Sequence, residues 1–197
     1  MGNLELSVYD VTASILKKLD ATKDAPSTRG ILSNIRNSVN KDISNNIYVI
    51  SYVFQNIPEE MMGSMNELND YEKAIITAVQ MYAIHQQSIS KSVLKLDYKE
   101  GERRQNMGDA LKTLRTGESE STDARFNALI TASNFNQLQN HLRQMIKLLK
   151  SKSDVEVDYA SLADDLYWFL KYQKDGIKMK WARSYYKISK KESKGDN

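Results

Sequence analysis

The sequence predicts an all-α protein, a compact bundle of about nine helices, and three observations predict it. Only 8 Gly and 2 Pro punctuate 197 residues, too few for the tight turns of a β meander. Apolar residues recur at helical spacing along most of the chain, as in Val8, Val11, Ile15 and Leu19. The one conspicuous β-branched run, Ile47-Tyr48-Val49-Ile50, has no evident partner strand. A chain of this length can bury about 70% of its unfolded surface, enough for one substantial core. We expect a single helical domain over about 1–189, with a smaller amino-terminal lobe to about 62, a bundle over about 68–189 and a disordered tail over 190–197.

Each element has its own justification. The first helix carries Leu4, Val8, Val11, Ile15 and Leu19 on one side. The turn Asp24-Ala25-Pro26-Ser27-Thr28 starts a second, with Ile31, Leu32, Ile35 and Val39 inward. A third spans 43–54, on the grounds that Ile47, Ile50 and Phe54 share a face. Pro58 and Gly63 mark a loop. A long helix over 70–87 lines up Ala74, Ile75, Ala78, Met81, Tyr82 and His85. After a polar loop over 88–106, further helices follow at about 107–116, 122–133, 135–151, 158–173 and 176–189. Ser121, Asn136 and Asp158 are the expected caps and Gly176 the expected break.

Composition narrows the function. Cys is absent, so disulfides and thiolate metal sites are excluded, and an intracellular, cytoplasmic place fits. The start of the chain has no basic, apolar leader, and no stretch reaches the ~18 apolar residues of a membrane span. The two histidines, His85 and His141, have no ligand-type residue at i±3 or i±4, and Asp164-Asp165 reads as a solvated acidic pair. No nucleophile elbow or phosphate loop occurs. These residues point away from catalysis and imply no metal or other cofactor.

Charge points elsewhere. Net charge is +3, but 1–100 holds 10 basic and 12 acidic residues while 101–197 holds 18 and 13. In the helix over 135–151, Leu138, Leu142, Met145 and Leu149 form one face. Arg143, Lys147 and Lys150 lie opposite at i, i+4, i+7. Three cations without an interleaved acid repel one another unless a polyanion neutralises them. Lys112, Arg115 and Arg125 add to the patch, and Arg29 and Arg36 share one face of the second helix. Spaced arginines suit phosphate, because the guanidinium fork holds two oxygens. Tyr159, Trp168, Phe169, Trp181 and Tyr185 are expected in the core, with Tyr186 the exception. The residues alone leave three readings open: a nucleic-acid-holding subunit, an independent helical DNA- or RNA-binding regulator, and a structural adaptor with a basic face.

Four segments carry a family resemblance. Thr28-Arg29-Gly30-Ile31-Leu32-Ser33-Asn34-Ile35-Arg36 is similar to an arginine-rich second-helix motif. Met81-Tyr82-Ala83-Ile84-His85-Gln86-Gln87 and Asn106-Met107-Gly108-Asp109-Ala110-Leu111 supply the next two. The closing set runs from Arg125-Phe126 through His141-Leu142-Arg143-Gln144 and Asp158-Tyr159 to Trp181-Ala182-Arg183-Ser184-Tyr185-Tyr186. Together they resemble the small subunit of the type I-E CRISPR surveillance complex Cascade, the CasB family, over about 27–187. Asn34 and Asn37 stand where the family often has arginine, and Ser184 where it has aspartate. The resemblance implies an all-helical, non-enzymatic subunit. Its partners would be other Cascade subunits, guide RNA, a second copy within the complex, and the target and displaced DNA strands, held without sequence reading.

Overall fold

The helix at the centre of the molecule is buried on almost every side. The computed structural model describes residues 7–39, 41, 46–64, 67–115 and 119–187. Among these are nine α-helices and no strand: α1 Val8–Ala21, α2 Pro26–Asn37, α3 Ile47–Phe54, α4 Asp70–Gln86, α5 Met107–Lys112, α6 Glu120–Ile130, α7 Phe135–Lys152, α8 Tyr159–Leu170 and α9 Lys174–Tyr186. In α4, Ile76, Val79 and Ala83 are buried as well as the expected Ala74, Ile75, Ala78, Met81 and Tyr82. It is covered by α1, α2, α7 and α8. A helix apolar on all sides is a core helix. Its start is fixed by a capping box, in which Asn69 accepts from the Glu72 amide at 2.9 Å and Glu72 accepts from the Asn69 amide at 2.8 Å.

Other helices lay one apolar face on this centre. α1 begins with its own capping box from Ser7 and Asp10 and buries Val11, Ile15 and Leu19. Asp20 near its end accepts from Tyr82 Oη at 2.9 Å and Ser92 Oγ at 2.8 Å, joining α1, α4 and the following loop. That loop is polar but well tied. The Gln86 side chain donates to the carbonyls of Ile89 and Lys91 and accepts from the Val93 amide. A single parallel bridge joins Leu94 to Val157.

The carboxyl-terminal helices meet in a tight seam. Gly108 of α5 lies so close to α9 that a Cβ there would sit 2.1 Å from the Trp181 carbonyl oxygen. Trp181 is buried and donates Nε1–H to Asp165 Oδ2 at 2.7 Å. Phe126 and Tyr185 stack with centroids 3.7 Å apart.

Several expectations need correction. Ile47 is 66% exposed, and Val49 and Val53 form the buried face of α3 instead; an eight-residue helix apolar nearly throughout does not reveal its inner side by spacing. Trp168 is 40% exposed, not core. Asp165 is not solvated: it is buried, and Lys180 and Trp181 from α9 satisfy its two oxygens. His85, aligned with the apolar side of the long helix, is fully buried. The α7 cap is Asn134, not Asn136; Ser119, not Ser121, precedes α6, without a side-chain cap bond; Asp158 does cap α8. Gly176 lies inside α9. The break falls at Tyr172, whose φ of 70° lets the Gln173 amide bond to the Trp168 carbonyl, a Schellman closure that usually employs glycine. Leu4, Ile43 and the tail over 190–197 lie outside the described residues.

Candidate nucleic-acid interface

α7 presents its cations as a consequence of how it packs. The Asn134 side chain accepts from the Gln137 amide, and the helix then buries Leu138, Leu142, Met145, Ile146 and Leu149 against α4 and α6. That leaves Lys147 exposed and Arg143 and Lys150 half-buried. Arg143 Nε is buried without a hydrogen-bond partner among the described residues. α2 lies on another side of α4, with Leu32 and Ile35 inward and Arg29 and Arg36 beside them.

The two sets of cations converge. Lys150 Nζ donates to Gln87 Oε1 at 3.2 Å, at the end of α4. Its pKa is lowered, first by burial and then by the positive fields of Arg36 and Lys147. Arg36 is itself partly desolvated, which pushes its pKa down. Next to them, Arg29, Arg36, Asp24, Gln87, Ser88 and Lys23, which is paired with Asp20, line a cleft of about 460 Å³. Among the described residues neither Arg36, Lys147 nor Lys150 has an ion-pair partner. Arg29 is only 4.0 Å from Asp24, and both are well exposed, so that pair is weak. Like charges held together without counter-charge favour an anion.

The remaining predicted cations lie elsewhere. Arg115 grips Asp123 with Nε at 3.0 Å and a second nitrogen at 3.4 Å, and lies over the rings of Tyr185 and Tyr186. The hydrogen bond to Asp123, above all, raises its pKa. Lys112 Nζ donates to the Lys187 carbonyl. Arg125 is exposed on α6 without an ion pair among the described residues. Outside the predicted set, Gln87 positions Lys150, and α9 exposes Lys174 and Arg183. The α9 residues had a sequence signal: four cations and one acid between 174 and 183. Two of those four turn inward, Lys178 to the Ala132 carbonyl and Lys180 to Asp165.

Beneath the cleft, His85 Nδ1 shares a 2.9 Å hydrogen bond with Tyr159 Oη, and Nε2 has no partner among the described residues. Burial first, and Lys150 second, push its pKa down to about 4, so the ring is neutral near pH 7. Among the described residues no three His, Asp or Glu side chains are grouped as a metal would require. No helix among them is long and apolar enough to cross a membrane.

Residues 32–186 match the family model of the CRISPR-associated protein Cse2. The chain belongs to the Cse2 family. CasB from Thermobifida fusca superposes with a TM-score of 0.71 at 21% identity, covering 93% of this chain and all of that one. CasB from M. ruber gives 0.67 at 22% identity over 98% of this chain and 100% of its own. A chain of a CRISPR RNA-guided surveillance complex gives 0.64 at 15% identity, over 91% and 93%. At these identities the likeness is one of fold. No curated protein sequence matches the chain. The family is the one the four sequence segments resembled, and its solved members share the all-helical architecture of this chain.

Proposed function

We propose that this Cse2-family chain is a non-catalytic subunit of a type I-E Cascade complex that holds nucleic acid without reading its sequence and stabilises the target and displaced strands of the R-loop. The carrying observation is the convergence of Arg36 from α2 with Lys147 and Lys150 from α7, without an ion-pair partner among the described residues. Arg143 and Arg29 extend this surface, and Arg125 adds a cation on α6. Arg115 and Lys112 contribute through packing, since each already has an internal partner. Guide–target pairing exchanges one duplex for another of similar stability, so modest backbone contacts decide the balance. A protein of net charge +3 suits holding strands delivered by a larger assembly.

The test is charge reversal within the assembled complex. Arg36→Glu with Lys147→Glu leaves assembly intact and shortens R-loop lifetime, most at low salt, where the lost phosphate contacts are least screened. A variant complex that assembles and holds its R-loop like the wild type contradicts the proposal. Loss of assembly with no effect of added nucleic acid points instead to an adaptor whose basic face meets acidic protein.

A further inference from the structure

Beside the amino-terminal half of α7, between it, α4 and the end of α2, lies a cavity of about 490 Å³. Its walls include Lys41, Lys73, the ring of Phe135 and the side chains of Asn136, Gln139 and Asn140. No carboxylate lines it among the described residues, and neither lysine has an ion-pair partner among them. The floor is already ordered. Gln80 donates to Ser38 Oγ at 2.8 Å, and Gln139 donates to Thr77 Oγ1 at 3.2 Å and to Gln80 Oε1 at 3.3 Å. Ser38, Thr77 and Gln80 are all buried.

The chemistry of these walls selects a ligand. Two cations with no acid beside them among the described residues attract an anion, and the first turn of α7 adds partial positive charge. Phe135 is half-buried, leaving part of its ring for a flat partner. The exposed Asn136 amide can donate to and accept from base edges. A cationic concavity with an aromatic wall suits unpaired nucleic acid, whose bases stack on aromatic faces while cations follow the backbone. The volume is that of a small-ligand site, which a single nucleotide can enter and a duplex cannot. Along α7, Asn136, Asn140, Arg143 and Lys147 succeed one another at i, i+4, i+7 and i+11, about 16 Å from end to end at 1.5 Å per residue.

We propose that this cavity takes one nucleotide of an unpaired nucleic-acid strand, with its base against Phe135 and its phosphate on Lys41 and Lys73. The strand then passes along α7 to the basic cleft, a continuation that rests on the function proposed above.

The experiment uses the full chain and fluorescent oligo(dT) at about 50 mM salt. Lys41→Ala with Lys73→Ala weakens binding about ten-fold and reduces the slope of log K against log salt by ~1.4, since two contacts to a single strand are lost. Phe135→Leu weakens it about five-fold and leaves the slope unchanged. Ultraviolet cross-linking, which needs no variant, places an adduct on the peptide containing Phe135. Thymidine monophosphate at equal base concentration does not displace the strand; displacement would replace the strand by a free nucleotide as the occupant. Wild-type binding by both variants, with weakened binding by Arg36→Glu/Lys147→Glu, overturns the cavity proposal and leaves the proposed function standing. Binding that none of these variants alters contradicts both, and no binding at all by the free chain overturns the cavity proposal while the R-loop test in the assembled complex still decides the proposed function.

Discussion

The seam between α5, α6, α8 and α9 and the cleft along α2, with the neighbouring face of α7, both hold basic residues, but with opposite consequences. In the seam, Arg115 grips Asp123, Arg103 lies 2.7 Å from Asp109, and Lys180 lies 2.6 Å from the buried Asp165. Arg115 and Lys180 fasten neighbouring elements to one another, and Arg103 ties the preceding loop to α5. At the cleft, Arg36 lies near Lys147 and Lys150 on the neighbouring face of α7, and the pKa of Lys150 is lowered first by burial and then by the positive fields of the other two. The comparison teaches that local density of Lys and Arg does not identify a binding surface. Whether a carboxylate already occupies each cation does.

The largest effect should come from the seam. Trp181→Ala removes a fully buried side chain and orphans one oxygen of Asp165, and should cost ~3–5 kcal/mol in denaturant unfolding. The part that remains folded should bind nucleic acid as the wild type does. Weakened binding at unchanged stability would move Trp181 from the core to the interface. Gly108→Ala tests the same seam from its other side. A Cβ at 2.1 Å from a backbone oxygen forces α5 and α9 apart, and we expect a loss of about 3 kcal/mol.

Acid separates the two regions by sign. His85, under the cleft, titrates at about 4 when folded against an ordinary value of 6.5. The unfolded chain therefore binds more protons in that window, and stability falls as pH drops from 6.5 towards 4, by about 3 kcal/mol in all. Asp165, in the seam, has a pKa raised chiefly by burial, so its protonation favours the folded state. Unfolding curves taken across this window should show the His85 loss in the wild type and not in His85→Gln. A slope that survives the substitution would assign it to another group. The smallest effect is expected for Arg115→Ala. Its partly exposed ion pair should contribute ~1 kcal/mol or less to stability, and its removal should leave nucleic-acid affinity unchanged.

How far the sequence could be read differs between these regions too. The α7 wheel was legible, because its apolar and basic residues segregate within one helix: Leu138, Leu142, Met145 and Leu149 are buried, and Lys147 faces solvent. The meeting of Arg36 with Lys150 was not legible, since it depends on α2 and α7 both packing on α4. Asp165 was misread for a similar reason. Its burial is compensated by Lys180 and Trp181, which arrive from the next helix. Trp168 has apolar neighbours on either side, yet it projects outward from α8 while Leu166 and Phe169 turn in. Family membership was legible through short motifs, one of which contains Gly108, where helix contact leaves no room for a side chain.

The most direct measurement compares salt dependence. Oligo(dT) binding is followed against salt for the wild type, for a cleft variant with Arg36, Lys147 and Lys150 replaced by Ala, and for a seam variant with Arg103 and Arg115 replaced by Ala. The account predicts a slope reduced by ~2 for the cleft variant and an unchanged slope for the seam variant. An unchanged slope in the cleft variant, or an equal reduction in the seam variant, would contradict it.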